Sequence, residues 1–579
     1  MQHTREIITL QFGTYANYVG AHFWNQQEAN FVYARDDGGS QLDDAKEEQL
    51  PQNDVLYREG RNDLNQVTYT PRLLSVDLAG TLGHLPQVGE LYGNYVPLLQ
   101  EDTQTEDALQ RTKQDAEQSN LNTDGELDVL QQPTAAISEY QQDLLRNQVN
   151  TLDKDYKLAE SCNSWADFLY ARYHPRSFNV LPGLVRQSDV QTLATHAAGV
   201  ELWQSADFNE EFCDRIRLYA EECDALQGFQ LLFDIDDGFS GMASKCLEHL
   251  NDEYSRANFT LPLHYPRNVS YAQADARTSL NIRVVNSVLS YAQLSEQANM
   301  FTPLSTLTTI WRNNTLQSRQ LPGLQWQADN LYQSSAVLAA WLDTMTLSYR
   351  LRQTPETLPR FCQRISAAGR TMTAAAMSLP LGMQQKPQDL IDYLDEQANG
   401  TMLAQLSPGC EPGTSHLLQM IVARGIPQSR LKRPMAQAGK QLQMAAYGCD
   451  SVSQMLQLYY QCAYHGSMTH ATATPLPLQT QLPFPYEMFD ANIDSAGFRL
   501  PLNGERKAGT RVMSAPVLAA LQNSSKLGEH LEALHAQTHR VQLAKLQSYA
   551  QVALERDEYE TALDKLLEFR DNYEDSHYL

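Results

Sequence analysis

The chain has 579 residues, 42% of them hydrophobic, and its 44 Lys and Arg against 69 Asp and Glu give a formal net charge of −25. A chain of this length exceeds a single hydrophobic core, which predicts two or three domains. The acidic balance argues against a nucleic-acid or anionic-membrane surface, because both need dense Lys and Arg, and it favours a basic or neutral partner.

The cysteine and apolar patterns bear on the cellular setting. Eight scattered cysteines form no C-x-x-C pair, and no secretory leader precedes the first predicted strand, so we expect a cytosolic protein. The uncharged stretch 451–486 is rich in Gln, Thr, His and Pro, and its backbone could not satisfy itself in lipid. We therefore predict no membrane span and only peripheral association with an organelle.

Strands and helices alternate over the first 80 residues. A β-branched run predicts a strand at 6–11, followed by a turn at 13–20 and a helix at 21–30. Residues 72–78 predict a buried strand that Ala79-Gly80 ends. This alternation indicates a parallel sheet with helices on both faces, in which ligands lie beyond the carboxyl ends of the strands.

Two polar stretches interrupt this pattern. Residues 34–65 are rich in Asp, Glu and Gly and predict a long exposed loop. Residues 100–150 contain ten Gln and eleven Asp or Glu against three Lys or Arg, which predicts a flexible acidic insertion with one helix near 137–148. The insertion is either a solvated linker or a partner-binding segment.

The middle of the chain continues the α/β pattern. We predict a strand at 227–232, a helix at 242–254, a strand passing into a turn at 284–289 and a helix that starts at Thr302-Pro303. A further apolar helix, which contains Trp341, is predicted over 332–352.

The second half is predicted to be richer in helix. Ala-, Met- and Gln-rich helices alternate with Pro and Gly breaks over 355–440. From Ser514 to the terminus a mostly long charged helix is expected, with Leu527, Leu531 and Leu534 at helical spacing.

Four separated segments carry a family resemblance. They are Arg-Glu-Ile-Ile-Thr-Leu-Gln-Phe-Gly-Thr-Tyr-Ala-Asn-Tyr-Val-Gly-Ala-His-Phe-Trp at 5–24, residues 71–81, Asn163-Ser164-Trp165-Ala166 with Tyr170, and residues 223–254. In this order they resemble the strands and nucleotide loops of tubulins. Together with the acidic insertion and the non-tubulin second half, they identify the chain as a member of the misato family of tubulin-like proteins.

The resemblance implies an α/β fold and a division into domains. It implies a tubulin-like, Rossmann-type parallel-sheet domain of the GTPase type over 1–300, containing the insertion at about 100–150. A core helix and a second, intermediate-type α/β domain follow over 301–440, and a mainly helical C-terminal region over 441–579. It also implies roles in mitochondrial distribution and morphology, spindle microtubule organisation and chromosome segregation, in the cytoplasm, at the mitochondrial outer surface and on the spindle.

The resemblance also places a degenerate nucleotide-like site. Its residues are Gln11, Gly13, Tyr15, Asn17, Gly20, Asp77, Gly80, Thr81, Asn163, Asp236, Asp237, Gly238, Ser240, Gly241 and Asn286. Thr14-Tyr15 replaces the usual Gln-Cys and puts a phenol near the base or phosphate path, and Ala79 stands where an acidic residue near magnesium is usual. Asn286 resembles the asparagine that reads the purine and ribose.

Asp236 and Asp237 replace the glycines of the phosphate loop. Two carboxylates within about 4 Å of a triphosphate would cost on the order of 1 to 4 kcal/mol each. With Asp234 they could instead hold a divalent cation, but no calcium-loop pattern follows, and we expect them to be solvated or to cap the helix dipole. No phosphate-loop lysine or His-Glu-x-x-His motif occurs, so no metal site is predicted.

These observations predict a protein without enzymatic activity or cofactor. Residues 323–330 lack the Asn-x-Asp-x-x-Glu pattern of the hydrolytic loop in tubulins, so GTP hydrolysis is not expected. The expected partners are tubulin or the cytosolic chaperonin and mitochondrial-surface proteins, not nucleic acid. The alternatives are a divergent GTP-binding protein or GTPase in which magnesium offsets the aspartates, and an adaptor that binds partners through the acidic insertion and the C-terminal helix.

Overall fold

A six-stranded sheet, a five-stranded sheet and three two-stranded sheets, with the helices that cover them, make up the described part of the molecule. The computed structural model describes residues 5–31, 50–61, 67–83, 85, 138–146, 154–185, 190–267, 270–271, 274–308, 310, 317–352, 354, 356–367, 369–385, 388–397, 402–409, 416–432, 444–463, 467–502, 504–551, 554 and 556–574. Within these residues no helix is both long and apolar enough to cross a membrane.

The strands, in chain order, are β1 (Ile7–Phe12), β2 (Tyr57–Arg61), β3 (Val67–Pro71), β4 (Leu73–Ala79), β5 (Phe178–Val185), β6 (Val190–Gln191), β7 (Gly228–Asp234), β8 (Ala257–Leu263), β9 (Ser270–Tyr271), β10 (Met300–Phe301), β11 (Ala374–Ser378), β12 (Ala404–Gln405), β13 (His416–Arg424), β14 (Met468–Thr474), β15 (Leu478–Gln479), β16 (Ser514–Ala515) and β17 (Val517–Ser524).

The α-helices are α1 (Thr14–Ala29), α2 (Glu139–Leu145), α3 (Leu158–Ser161), α4 (His196–Gln204), α5 (Ala206–Glu221), α6 (Phe239–Tyr254), α7 (Ala276–Gln297), α8 (Leu331–Arg350), α9 (Leu358–Ile365), α10 (Leu390–Glu396), α11 (Val452–Ala463), α12 (Lys526–Thr538), α13 (Gln547–Gln551) and α14 (Arg556–Asp571).

The first sheet is parallel throughout and has the strand order β10-β8-β7-β1-β4-β5. The order runs outward in both directions from β1, as in doubly wound α/β folds, so the predicted α/β class is confirmed. Strands β4 and β5 are added on one side of β1, and β7, β8 and β10 on the other, so the strand order switches sides between β1 and β7. These two strands pair with Phe12 opposite Phe233. A ligand of such a sheet is expected beyond the carboxyl ends of these two strands.

Alternating side chains of the first sheet build two separate cores. Ile8, Leu10 and Phe12 face α5, α6, α7 and the C-terminal helices, whereas Ile7 faces α1 and α8. Every residue of α8 is buried, because this helix lies between α1 and strands β13 and β17 of the second sheet. The predicted helix at 332–352 is thus confirmed.

The second sheet has the order β12-β11-β17-β13-β14, and only β13 and β14 run parallel in it. Helices α10 and α11 cover its outer face. Helices α12 and α14 return to the first sheet and pack against α7. There Leu527, Leu531 and Leu534 are fully buried, as their spacing predicts.

A buried ionic cluster joins the two sheets through α8. Asp343 of α8 accepts hydrogen bonds from Arg350 at 2.7 Å and from Gln27 of α1 at 2.7 Å. Its second oxygen pairs with Arg424 of β13. Arg350 also bonds the side-chain oxygen of Gln27, so the cluster connects α1, α8 and the second sheet.

Several predicted elements are wrong. Residues 14–20 belong to α1 and do not form a turn, and residues 284–289 lie inside α7 and are not a strand. Residues 302–308 carry only isolated bridges and contain no helix, and residues 514–524 form strands β16 and β17.

The predicted loop at 34–65 is wrong over 50–61, which contain a short 3-10 turn and β2. Helix α2 confirms the helix expected near 137–148. The rest of the acidic insertion up to residue 137 lies outside the described residues. The helices expected over 355–440 are interrupted by strands β11, β12 and β13.

A candidate nucleotide-like site closed by its own side chains

The N-terminus of α1 is capped by a carboxylate from β7. Asp234 ends β7 and accepts hydrogen bonds from the backbone N–H groups of Tyr15 at 2.9 Å and Ala16 at 2.8 Å. Gly13 precedes the helix with φ +106°, and a Cβ atom there would lie 2.4 Å from an Asp234 oxygen. The helix end that would attract an anion therefore already holds one of the chain's own.

The N-terminus of α6 is capped in a similar way. The Asp237 carboxylate accepts a hydrogen bond from the backbone N–H of Phe239 at 3.0 Å, and the Ser240 hydroxyl donates to the Asp237 carbonyl at 2.6 Å. Asp237 is only 1% exposed. Its carboxylate is hydrogen-bonded to the Phe239 amide, which a phosphate would otherwise approach.

Asp236 is buried in an ionic cluster. Its carboxylate lies 2.7 Å from the Arg283 guanidinium, 2.9 Å from Nδ1 of His264 and 2.8 Å from the Tyr265 N–H. Tyr291 bonds the other ring nitrogen of His264 at 3.1 Å. Of the two alternatives expected for these aspartates, helix capping is met by Asp234 and Asp237. Solvation is wrong for Asp236, because fixed partners from the loop after β8 and from α7 surround its carboxylate.

The three aspartates of the loop differ in their electrostatics. Burial raises the pKa of Asp234 and of Asp237 well above the usual value, and charge repulsion between the neighbouring carboxylates adds to this rise. Burial also acts on Asp236, but Arg283 and His264 outweigh it and hold the pKa of this carboxyl below its usual value. Only Asp236 has cationic partners, so it is the member of the group that stays ionised most readily.

Glycines at the start of α6 and within α4 serve helix packing. A Cβ atom at Gly241 would lie 1.9 Å from the His196 carbonyl oxygen, and one at Gly199 would lie 1.7 Å from the Gly238 carbonyl oxygen. The Gly238 N–H donates to the Leu193 carbonyl at 2.9 Å. These glycines allow α4 to lie directly on the start of α6, so the backbone that would surround a phosphate contacts another helix.

Asn286 is engaged by the chain itself. Its amide donates to the carbonyls of Asp236 at 2.7 Å and Ala194 at 3.0 Å, and its oxygen accepts from the His196 N–H at 2.9 Å. The hydroxyl of Tyr549 in α13 donates to the same oxygen. In this conformation the side chain has no hydrogen-bonding capacity left for a purine.

Asp77 organises the loop after β4. One carboxylate oxygen accepts from the Thr14 hydroxyl at 2.8 Å, and the other accepts from Asn17 at 3.0 Å and from the Trp165 indole N–H at 3.0 Å. Burial raises the pKa of Asp77, and these hydrogen bonds oppose that rise. The segments 5–24, 71–81 and 163–166 are thus joined around this carboxyl group.

The remaining predicted site residues lie around this core. Ser164 donates to the carbonyl of buried Thr81, whereas Gly80 and Asn163 are exposed. A Cβ atom at Gly20 would lie 2.2 Å from the Gln11 amide nitrogen, so these two residues pack directly together.

Tyr15 fills space between α1 and the first sheet. Its ring is fully buried and lies 5.4 Å from the ring of Tyr265, measured between centroids. Burial raises the pKa of its hydroxyl. The phenol expected along the nucleotide path is therefore part of a packed aromatic pair.

The described residues do not fit a nucleoside triphosphate in this conformation. Carboxylates already cap both helix N-termini, and the loop between them packs on α4. Among the described residues no group of three His, Cys, Asp or Glu side chains could hold a metal ion. Sequence reasoning missed His264, Arg283 and Tyr549, which lie 28, 47 and 313 residues beyond Asp236 and give no local signal.

Comparisons with known proteins agree with this architecture. Residues 5–146 match the Misato Segment II tubulin-like domain and residues 156–351 match the Tubulin domain. The chain is 66% identical to protein misato of Drosophila melanogaster, over 100% of both chains. It is 30% identical to protein misato homolog 1 of Mus musculus, over 97% of this chain and 96% of the relative. The corresponding Danio rerio protein is 29% identical, over 99% of this chain and 97% of the relative.

Proposed function

Because the chain belongs to the misato family of tubulin-like proteins, we propose that it is a non-catalytic member that acts through protein interactions. Its roles are mitochondrial distribution and morphology, spindle microtubule organisation and chromosome segregation. Its partners are tubulin or the cytosolic chaperonin and mitochondrial-surface proteins. It works in the cytoplasm, at the mitochondrial outer surface and on the mitotic spindle.

The observation that carries this proposal is the pair of capped helices. Asp234 and Asp237 hold the N-terminal amides of α1 and α6 that would otherwise bind phosphate. A triphosphate would have to displace both carboxylates and lie beside them, against charge repulsion in a buried setting. The net charge of −25 suits association with a basic partner surface.

Thermal unfolding of the purified full-length chain with and without GTP and magnesium tests the absence of nucleotide binding. A ligand at 100 times its Kd stabilises a folded protein by about 2.7 kcal/mol, so even weak specific binding is measurable at millimolar GTP. We expect no shift in the midpoint and no phosphate release. A saturable shift accompanied by turnover would contradict the proposal.

A second candidate function is a divergent GTP-binding protein or GTPase with a magnesium-assisted site. Two atoms favour it: Gln11 Nε2 and one Asp237 carboxylate oxygen are buried, and no hydrogen-bond partner for them occurs among the described residues. An oxygen of a bound ligand could accept from the Gln11 amide, and a cation could bind the Asp237 oxygen. Repeating the unfolding series with magnesium and GTP separately distinguishes the cases, since this candidate requires a larger shift with both than with either alone.

Depletion of the protein from dividing cells tests the proposed roles. We expect altered mitochondrial distribution and defective spindle microtubules, both restored by the wild-type chain. Rescue by an Asp237→Asn chain should be equally good, because no nucleotide chemistry is proposed at this carboxylate. Normal mitochondria and spindles after complete depletion would reject the roles.

A further inference from the structure

A histidine pair lies at the end of α12, away from the closed site. His535 and His539 are four residues apart, their ring centroids are 4.7 Å apart and the planes of the rings differ by 83°. His539 is the C-cap residue with φ −58° and ψ −18°, so its backbone still follows the helix. Residues at this spacing share one helix face, one turn apart.

The pair lies on the outer side of the helix. Leu527, Leu531 and Leu534 form the buried side, whereas His535 is half-buried and His539 is exposed. The rings therefore contribute little to the core, and their nitrogens can be reached from solvent. Rotation about the Cβ–Cγ bonds, which is a soft torsion in histidine, can turn a nitrogen of each ring toward a common point.

The surroundings of His535 act against its protonation. Partial burial lowers the pKa of His535, and the neighbouring His539 and Arg570 of α14 lower it further, against the opposite effect of Asp564 and Glu532. Arg570 is itself paired with Asp571 at 2.5 Å. A neutral imidazole has a free lone pair, which is the form that binds metal ions.

We propose that His535 and His539 form a two-histidine chelating site for a divalent transition-metal ion such as Zn²⁺. Imidazole nitrogen is a preferred ligand of this class of ions, and two histidines four residues apart on a helix supply two zinc ligands in helical metalloprotease motifs. The negative end of the α12 dipole and the net charge of −25 both attract a cation.

The site leaves coordination positions open. Among the described residues no third His, Cys, Asp or Glu completes a metal-binding group, so two histidines alone bind the ion. Zinc prefers four ligands, and the other two positions go to water or to side chains of a bound partner. The site therefore differs from the metal-free expectation drawn from the sequence.

Calorimetric titration of the full-length chain with ZnCl₂ tests the proposal. We expect one saturable site that His535→Ala and His539→Ala each weaken by about a hundredfold, because the second imidazole binds intramolecularly once the first is engaged. His249→Ala is the matched control, since His249 is a half-buried helical histidine without a histidine four residues away, and it should bind zinc like the wild type.

Two further measurements separate this site from other zinc ligands. Zinc should raise the unfolding midpoint of the wild type and of Cys462→Ser, which removes an exposed thiol, but not that of either the His535 or the His539 variant. Loss of binding in Cys462→Ser, or unchanged binding in both histidine variants, would overturn the proposal. So would the absence of any saturable site at millimolar zinc.

Discussion

Two buried aspartate clusters of this molecule differ in the direction in which the pKa values of their carboxyl groups are shifted. At the junction between the sheets, Asp343 faces Arg350 and Arg424, and although burial acts against it these guanidinium groups hold the pKa of its carboxyl below the usual value. At the closed site, Asp234 and Asp237 face backbone amides and other carboxylates, and burial raises both pKa values.

The difference shows that burial alone does not decide the charge of a carboxylate. Helix-terminal amides solvate Asp234 and Asp237 through partial charges, whereas a guanidinium supplies a full charge and matches the carboxylate geometrically. Asp236 belongs to the closed site, but like Asp343 it is paired with a guanidinium group, that of Arg283. The closed site thus contains one carboxyl group whose pKa is lowered by a cation and two whose pKa values are raised by burial.

Removing the charge of Asp343 should have the largest effect. In Asp343→Asn two buried guanidinium groups lose their counter-ion, and we expect the free energy of unfolding to fall by about 3 to 5 kcal/mol. Urea denaturation followed by circular dichroism measures it. Glu558→Gln on the exposed side of α14 should stay within about 0.5 kcal/mol of wild type, and an equal loss in both variants would remove the contrast between the clusters.

A methyl group in the closed loop should have the next largest effect. In Gly241→Ala the new Cβ atom meets the His196 carbonyl at 1.9 Å, and we expect a loss of about 1 to 3 kcal/mol from the forced separation of α4 and α6. Gly448→Ala is the matched control, because no atom lies within 4 Å of its added Cβ. A neutral Gly241→Ala would show that the loop is not packed as described.

The pH dependence of Asp237 should give the smallest change. Its folded-state pKa is raised, so its contribution to stability is complete below the unfolded pKa of about 3.9 and is lost as pH rises through the folded value. Asp237→Asn removes this loss. The free energy of unfolding of the wild type minus that of the variant should therefore fall by up to about 1.4 kcal/mol per pH unit as pH rises within that window.

Unfolding free energies between about pH 2 and pH 8 measure this slope together with that of Asp343, whose window lies below the unfolded pKa of about 3.9. Asp343→Asn should show the opposite sign, because the lowered pKa of Asp343 contributes stability above the unfolded pKa that is lost as pH falls. Parallel pH profiles for the two variants would contradict the distinction between amide-capped and guanidinium-paired aspartates.

The local elements around β7 were predictable from sequence, and their partners were not. A mostly apolar run, broken only by Gln230, predicts β7, and helical spacing predicts most of α6. By contrast, the short run around Val284, Val285 and Val288 fits a strand as well as a buried helix, and only the complete α7, with its Asp275 N-cap, settles it.

The burial of the aspartates depended on distant residues. A run of Asp after a strand indicates a solvated loop unless cations approach it, and His264 and Arg283 reach Asp236 from the loop after β8 and from α7. Likewise, Gly238 and Gly241 resemble a phosphate loop, yet their lack of a side chain allows close contact with α4 and the residues that precede it. Tertiary packing, which a linear motif does not encode, fixed both outcomes.

The bond between Tyr549 and Asn286 has a consequence for biosynthesis. The two residues are 263 positions apart, so a ribosome completes the first sheet and α7 long before it adds the residue that closes the network. Until then, Asn286 can bind the loop and α4 but lacks its last donor. The nascent chain therefore passes through a stage in which the site is formed and not yet sealed, and this interval is the natural time for a folding partner to engage it.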